Sequence, residues 1–540
     1  MSAPLLVLLG AILFAGAYLS YGGYVARRLG IDPTRPTPAQ TMNDGVDYVP
    51  TRAPVVLGHH FASIAGAGPI VGPVMASIFG WLPVYLWIVV GGIFVGAVHD
   101  FSAVVASLRH RGKSIGEVIE EHIGRNGKIL FLLFSWSTLL LVIAVFTQLV
   151  ATTFERVPSA ATASLLFMAL AVAFGWAIYR RGMPLLGATL VGVILLFLCV
   201  YAGYRWPLSL SAQMWRYLLL LYCFGAAVLP VWFLLQPRDY LNSFVLYALL
   251  AGGALGIFFA HPKVQLAAVT TFHTDLGFLF PVLFVTVACG AISGFHSLVA
   301  SGTTAKQVAK ESDAKPIGYG AMLIESVLAI VALMAAATMA PGRFRQLYGA
   351  QSFVPIFAEG VGGFMARIPL LGIKADLATT FAALGVSAFV LTSLDTSTRL
   401  ARFAFQELFE RRTRKGSSSW LANRYVGTAI TILVAWVFLV SGGSQAIWPV
   451  FGSANQLLAA LALLAVSVWL AKGGMRTHFV RYPMIFMFLV TLTALASLIH
   501  KNFVRGNYLL VGIGAILFAL AGLLVAQAVR SLRSVKGQQA

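Results

Sequence analysis

Asp100, in GAVHDF, and Glu325, in GYGAMLIES, are acidic residues inside apolar stretches of the chain. An ionisable side chain at membrane depth is costly, so each is a functional candidate, with a structural hydrogen-bonded pair as the alternative. Burial disfavours the charged form of a carboxyl group, which lets the group bind and release a proton near neutral pH. Together with His99, these two residues predict a proton-coupling site.

Histidines recur in the same apolar stretches, at His59, His60, His99 and His296. A histidine that faces a cavity offers a titratable donor to a carboxylate substrate; the alternative is a hydrogen bond to a neighbouring backbone. Adjacent residues point about 100° apart on a helix, so only one of His59 and His60 is expected to face the cavity. No H-x-x-x-H spacing accompanies them, and we expect no metal site.

The stretch LGHHFASIAGAGPIVGP, residues 57 to 73, predicts a broken helix. Its glycines and prolines free backbone groups that are tolerated at membrane depth only against protein or a water-filled cavity. The alternative is a kinked structural helix, because both residue types are common in membrane helices. N–H groups at the start of a half-helix attract a carboxylate. The predicted carboxylate cradle consists of Ser63, Gly66, Ala67 and Gly68.

A second polar stretch of small residues, SGFHSLVASGTT, covers residues 293 to 304. Ser293 and His296 are predicted to line the substrate cavity. Ser301, Thr303 and Thr304 are candidates for binding a sodium ion through hydroxyl and carbonyl oxygens. The alternative is that the small residues only allow close helix packing.

Composition indicates the elements that must position these residues. Hydrophobic residues make up 59% of the 540 and charged residues 10%, which is typical of an all-α polytopic membrane protein. Apolar segments of the length that crosses a bilayer number about 15. The net charge of +20 is spread over short loops, which indicates membrane topology and not nucleic-acid binding. No Walker-type phosphate loop occurs, so uphill transport requires an ion gradient.

Charge also predicts the orientation. The first apolar segment has no Lys or Arg before it and is followed by Arg27 and Arg28, so we expect an anchor with its N-terminus outside. The C-terminus and the basic loop around RRTRKGSSS are then cytoplasmic. Asp395 has Arg399 four residues further on, the spacing of a helical ion pair. The cysteines at 199, 223 and 289 are expected to be small buried residues.

A second interruption is predicted within residues 215 to 240, at Gly225 and Pro230. About five segments separate it from the first, and an odd number of crossings inverts the second unit, as in 5+5 repeat transporters. The predicted divisions are an N-terminal helix and loop (1–56), a first repeat (57–214), a second, inverted repeat (215–397), a basic loop (398–421) and accessory helices (422–540).

Several motifs resemble the carbon starvation protein A (CstA) family. They are GHHFASIAGAGPIVGP (58–73), GAVHDF (96–101), RGKSIGE (111–117), VLPVWFLLQPRDYLN (228–242), ACGAISGFHSLVASGTTAKQ (288–307), GYGAMLIES (318–326) and IWPVFGSANQLLA (447–459). The resemblance implies a bacterial inner-membrane transporter of the amino acid–polyamine–organocation (LeuT-like) superfamily. It also implies peptide uptake or proton-coupled pyruvate uptake during carbon starvation. Asn455 and Gln456 belong to these motifs, without an assigned role.

The sequence therefore predicts a secondary active transporter in the bilayer of the inner membrane, with pyruvate or short peptides as its small-molecule substrate. The expected coupling ion is H⁺, with Na⁺ as the alternative, and no other cofactor is expected. A metabolite sensor or a passive channel remains the alternative from another class. No protease motif such as H-E-x-x-H occurs, so an enzyme is not expected. The oligomeric state is left open.

Overall fold

The computed structural model describes residues 2–45, 48–229, 235–350, 352–369, 372–409, 420–441 and 444–539. These residues form helices and one short hairpin, β1 (His273–Thr274) with β2 (Gly277–Phe278). The all-α polytopic class predicted from composition is confirmed.

The helices before the hairpin are α1 (Ala3–Leu19), α2 (Tyr21–Arg28), α3 (Pro38–Thr41), α4 (Ala53–Ile64), α5 (Gly68–Ala76), α6 (Trp81–Gly91), α7 (Ala97–Arg109), α8 (Ile115–His122), α9 (Arg125–Arg156), α10 (Pro158–Tyr179), α11 (Leu185–Arg205), α12 (Ala212–Val228) and α13 (Leu235–Ala260). Those after it are α14 (Leu279–Thr286), α15 (Ala288–Ala291), α16 (Gly294–Gly302), α17 (Ala321–Ala337), α18 (Pro341–Gly349), α19 (Phe353–Met365), α20 (Ala375–Phe409), α21 (Arg424–Ser441), α22 (Ser444–Lys472), α23 (His478–Val504) and α24 (Tyr508–Gln539).

Within the described residues, 11 helices are long and apolar enough to cross a membrane, or up to 12 with the bent pair α4–α5. The sequence predicts about 15 such segments from length and hydropathy. Part of the difference lies in shorter apolar helices, Phe353–Met365 and Arg424–Val440. Another part lies at residues 281–300, an apolar stretch that sequence alone counts as one crossing and that the structure divides among α14, α15 and α16.

The first predicted break is present. Helix α4 ends at Ile64, α5 begins at Gly68, and the two axes are bent by 45°. Gly68 and Gly72 allow α5 to approach the second broken helix closely. A Cβ atom on Gly68 would lie 2.2 Å from Cys289 Sγ, and one on Gly72 would lie 2.5 Å from the carbonyl oxygen of Thr286.

The second break among the described residues lies between α14 and α16, not inside α12. Ile292 and Ser293 are extended, with ψ angles of 145° and 130°, and α16 begins after them. Gly225, where the sequence predicts an interruption, lies within α12, and Pro230 lies outside the described residues. The predicted interruption at Pro230 therefore falls outside the described residues, and the second break that they show is at Ile292 and Ser293.

The order of elements after each break is similar. After α4–α5 come a span with a π-helical turn (Gly92–Gly96), the short α8 and the 32-residue α9. After α14–α16 come a π-helical turn (Lys315–Gly320), α17, two short helices and the 35-residue α20. The second broken helix begins at Leu279, whereas the predicted second repeat begins at residue 215. The predicted basic loop differs as well, because α20 continues to Phe409 and residues 410–419 lie outside the described part.

Candidate functional site

The two predicted acidic residues belong to one buried polar cluster. His296 Nδ1 lies 2.8 Å from one oxygen of Asp100, and His99 Nδ1 lies 2.7 Å from the other. On its opposite side, His296 Nε2 lies 3.5 Å from Glu325 Oε2. All four side chains are buried within the protein. His296 therefore stands between the two carboxyl groups and connects α7, α16 and α17.

The sequence assigns His296 to the substrate, and Asp100 and Glu325 to proton coupling. The structure brings them together through the histidine. Among the described residues, neither oxygen of Glu325 has a hydrogen-bond partner, and His296 Nε2 has none within hydrogen-bond distance. A buried polar group without a partner is costly, so this end of the cluster is suited to a transient ligand such as a proton.

Cys289 also contributes to this region, which the sequence does not indicate. Its Sγ atom, a nitrogen of His296 and a carboxylate oxygen of Glu325 all lie within 4.8 Å of one another. Such a set of donors can in principle hold a metal ion. The spacing of these residues along the chain gives no sign of it, because the three stand on different helices, α15, α16 and α17.

His59 and His60 diverge, as the helical geometry predicts. His60 Nδ1 lies 2.8 Å from the hydroxyl of Thr304 on the side of α16. His59 Nδ1 lies 3.4 Å from a carboxylate oxygen of Asp239, in α13. Both rings are buried, and His60 is fully so. The two histidines therefore connect the first half-helix to two different neighbours.

A second buried ionic cluster is missing from the sequence-based prediction. Arg238 bonds to Asp395 and Asp239, and the hydroxyl of Tyr222 lies 2.6 Å from both Arg238 and Asp395. Arg238 is 2% exposed, and both acids are fully buried. In the sequence, the only sign of this cluster is the dipeptide Arg238–Asp239. It stands at the end of an apolar segment, where charged residues usually mark the membrane boundary, so it does not suggest a buried ion pair.

The predicted pairing of Asp395 with Arg399 is wrong. Asp395 accepts from Arg238 instead, and Arg399 donates to the carbonyl oxygens of Ala226 and Leu229, at 2.7 Å and 2.6 Å. The reason is that α12 ends beside α20. Its last carbonyl groups have no intrahelical donor, and a cationic side chain satisfies them.

The predicted carboxylate cradle lies at the first break, but its members face different neighbours. A Cβ atom on Gly66 would lie 2.7 Å from the hydroxyl of Ser393 and 3.4 Å from Phe146, whereas Gly68 faces Cys289. The hydroxyl of Ser63 is buried and has no hydrogen-bond partner among the described residues. The break is thus enclosed by α9 and α20 on one side and by the second broken helix on the other.

Two cavities lie at opposite ends of the α9–α20 pair. An outer cavity of about 220 Å³ is lined by Thr152 and Arg156 from α9 and by Thr379 and Ala383 from α20. An inner cavity of about 110 Å³ is lined by Ser135 of α9 and by Glu407 of α20, among others. The terms outer and inner refer to the orientation predicted from charge. Both Phe146 and Ser393, which contact the break, lie between the two cavities along their helices.

The three residues predicted to bind sodium have separate partners. The hydroxyl of Ser301 donates to the carbonyl of Ser297 at 2.7 Å, and that of Thr303 donates to the carbonyl of Val299 at 3.0 Å. Thr304 contacts His60. Ser301 lines the inner cavity, but the structure does not direct the three hydroxyls to one point.

Asn455 and Gln456 support the second broken helix from α22. Asn455 Oδ1 accepts from the backbone N–H of Phe295 at 2.9 Å, and its amide nitrogen donates to the hydroxyl of Ser293 at 3.0 Å. Gln456 donates to the carbonyl of Phe284 at 2.7 Å. Ser293, predicted to line the substrate cavity, is therefore bonded to α22, and the N-terminus of α16 is capped.

Comparison with known proteins gives extensive matches. The family described as Carbon starvation protein CstA matches residues 2–355 and 345–494. The peptide transporter CstA of Helicobacter pylori (strain J99) is 34% identical over 537 residues, which cover 87% of this chain and 78% of that protein. The pyruvate/proton symporter BtsT of Escherichia coli is 34% identical over 568 residues, with 87% and 78% covered.

Solved structures with a similar course of the chain are much more distant in sequence. A mutant of the manganese transporter of Eremococcus coleocola is 14% identical with a TM-score of 0.44, covering 91% of this chain and 99% of that one. MhsT in complex with L-phenylalanine is 13% identical with a TM-score of 0.47, covering 88% and 98%.

Proposed function

Since the chain belongs to the carbon starvation protein CstA family, we propose that it is a secondary active transporter that imports pyruvate or short peptides with protons as the coupling ion. Its membrane is the bacterial inner membrane, with the N-terminus outside and the C-terminus in the cytoplasm. Relatives of this chain carry the names peptide transporter and pyruvate/proton symporter, and both substrates present a carboxylate.

The observation that carries this proposal is the pair of cavities at opposite ends of α9 and α20, with a broken helix between them. Transporters with inverted repeats bind substrate near the bilayer midplane, at discontinuous helices, and expose that site to one side at a time. We take the units after the two breaks, ending in α9 and α20, as such an inverted pair. The outer and inner cavities are then the two access routes.

The substrate carboxylate binds at the start of α5. The first N–H groups of a helix have no intrahelical acceptor, and the helix dipole favours an anion there. The corresponding end of α16 is occupied by Asn455, whose Oδ1 accepts from Phe295. The N–H of Gly66 donates to the carbonyl of Ile64 at 2.8 Å, so the groups left for a ligand are the N–H groups of Ala67 and Gly68 and the unpartnered hydroxyl of Ser63. This end is the better carboxylate site of the two.

The proton binds in the cluster of Asp100, His296 and Glu325. Protonation of Glu325 removes one of the two negative charges beside His296, and transfer of that proton to His296 Nε2 places an imidazolium between two carboxylates. Either step changes a buried charge at the junction of α7, α16 and α17. Such a change shifts the equilibrium between conformations that bind the proton with different affinity.

Uptake of labelled pyruvate into proteoliposomes tests the proposal, with an imposed pH gradient, an imposed sodium gradient or neither, and with unlabelled di- and tripeptides as competitors. We expect accumulation that is driven by the pH gradient. Accumulation driven by sodium alone would contradict proton coupling. Equilibration without accumulation would identify a channel, and binding without uptake would identify a sensor. Competition by unlabelled peptides would show that the protein takes peptides, and its absence would assign pyruvate as the substrate.

The Glu325→Gln and Asp100→Asn variants test the coupling residues. Each should lose accumulation driven by the pH gradient, while Glu325→Gln retains exchange of labelled for unlabelled substrate, because exchange requires no net proton movement. Asp376→Asn, at an exposed carboxyl group, is the matched control and should behave as the unmodified protein. If both buried variants still accumulate substrate in response to pH, the assignment of the coupling site is wrong.

A further inference from the structure

A second group of titratable side chains lies outside the proposed transport site, where α7 turns into α8. His110 follows the last residue of α7, and Glu121 and His122 lie at the end of α8. Their donor atoms, two imidazole nitrogens and one carboxylate oxygen, all lie within 4.8 Å of one another. His110 is 8% exposed, His122 is partly buried and Glu121 is exposed.

The hydrogen bonds of His110 determine which of its nitrogens is available. Nδ1 lies 2.6 Å from the carbonyl oxygen of Ala106, so it carries the proton that it donates. In the neutral ring, Nε2 is then a lone-pair donor, and it points at His122 Nε2 at 2.8 Å. A metal-bound histidine typically donates its other ring N–H to an oxygen, which fixes the ring in this way.

His122 offers the second imidazole of the set, and Glu121 offers its carboxylate. Transition-metal ions bind neutral imidazole and ionised carboxylate. Because Glu121 is exposed to solvent, the set provides two nitrogen ligands, one oxygen ligand and space for water.

We propose that His110, Glu121 and His122 form a binding site for a divalent transition-metal ion such as Zn²⁺. A tetrahedral ion holds two nitrogen ligands about 3.3 Å apart, so the partly exposed His122 ring has to move by about half an ångström from its present contact. Its proton shifts to Nδ1, which leaves the Nε2 lone pair for the ion.

The bound ion would connect the end of α7 to the end of α8. The linker between them includes Ser114, which with Gly116 of α8 lines the inner cavity. Trp469 of α22 packs edge-to-face with His110, with ring centroids 5.6 Å apart. The ion would therefore fix the ends of α7 and α8, next to one wall of the inner cavity. Binding itself does not depend on the proposed transport function.

Titration of the purified full-length protein, without an affinity tag, with Co²⁺ tests the site. We expect saturable binding at one equivalent with a visible absorption spectrum of four-coordinate cobalt, and displacement by Zn²⁺. His122→Gln and Glu121→Gln should each weaken binding by more than about tenfold, since even loss of a group that only orients a ligand costs 10- to 100-fold. No intense ultraviolet thiolate–cobalt band is expected, because none of the three proposed ligands is a thiolate.

Two controls separate this site from the rest of the chain. Cys289→Ser removes the thiol of the other donor set and should leave binding unchanged. His500→Gln removes an exposed histidine elsewhere and should also have no effect. Absence of saturable binding would overturn the proposal. So would a spectrum with a thiolate–cobalt band that disappears in Cys289→Ser, or binding that both His122→Gln and Glu121→Gln leave intact.

Discussion

At the scale of single residues, the sequence identifies functional candidates in the membrane when burying the side chain is costly whatever its neighbours are. Asp100, Glu325 and His99 are predicted as candidates because an ionisable group rarely enters an apolar segment without a purpose. Partners are not readable in the same way. His296 joins the two carboxyl groups, and Arg238 takes the place expected for Arg399, because both contacts depend on which helices are neighbours.

The buried ionic cluster of Arg238 leads to a prediction about stability. Arg238→Met removes the cation between two fully buried carboxylates, and removal of one partner of a buried pair costs about 3–5 kcal/mol because the remaining charge is uncompensated. The variant should unfold at a markedly lower temperature in detergent. The double variant with Asp395→Asn should recover part of the loss, since one of the two unpaired charges is gone.

A matched comparison uses the exposed pair of Arg343 and Glu359, whose side chains are 45% and 32% exposed. Arg343→Met should leave the unfolding temperature unchanged, because solvent screens such pairs. Equal effects of Arg238→Met and Arg343→Met would mean that the buried cluster around Arg238 contributes no more to stability than a surface ion pair does.

At the scale of elements, the first broken helix is predictable and the second is not. Residues 57 to 73 combine glycines and prolines with an apolar run, and both types weaken a helix locally. The second break, at Ile292 and Ser293, contains no proline and stands next to single glycines that a continuous membrane helix also tolerates. Its support comes from Asn455 in α22, more than 150 residues away, so no local signal marks it.

Asn455 therefore provides a test of the second break. Asn455→Ala removes the acceptor for the N–H of Phe295. Loss of a helix cap lowers the free energy of unfolding by about 1 kcal/mol. We also expect lower pH-driven uptake, because the half-helix α16 is no longer held in position. Asn455→Asp keeps that acceptor and should retain more uptake than Asn455→Ala. Equal uptake by both variants would show that the capping bond does not matter. Uptake and unfolding temperature are measured on the same preparations.

Close approach of the two broken helices gives a further prediction at this scale. Gly68→Ala places a Cβ atom 2.5 Å from Cys289 Cβ, so one helix has to shift, at a typical cost of about 1–3 kcal/mol. We expect a lower unfolding temperature and loss of uptake, with partial recovery on addition of Cys289→Gly. Gly363→Ala, in the open part of α19, should instead be neutral or slightly stabilising. Unimpaired uptake by Gly68→Ala would contradict the crossing of the helices.

At the scale of the whole molecule, composition alone predicts a polytopic helical membrane protein, and the structure confirms it. The number of spans is less certain from sequence, because hydropathy does not distinguish a full crossing from α19 or from a helix divided in three such as residues 279 to 302. The two access routes are not predictable at all, since each cavity combines residues from α9 and α20 that are more than 200 positions apart.

Alternating access through these cavities can be measured by thiol accessibility. Thr152→Cys places a thiol in the outer cavity and Ser135→Cys places one in the inner cavity, in a Cys199→Ser background that leaves only the two buried native cysteines. A membrane-impermeant maleimide should label Thr152→Cys in intact cells and Ser135→Cys only in inverted vesicles, since the predicted orientation places the N-terminus outside. The background protein without either new cysteine gives the baseline. Labelling of both positions from the same side would contradict the orientation, the two-sided arrangement of the cavities, or both.

Adding substrate should shift the protein between its conformations and change the two labelling rates in opposite directions. Parallel changes in the two rates would indicate a single pore that opens and closes as a whole, which is the behaviour of a channel and not of a coupled transporter.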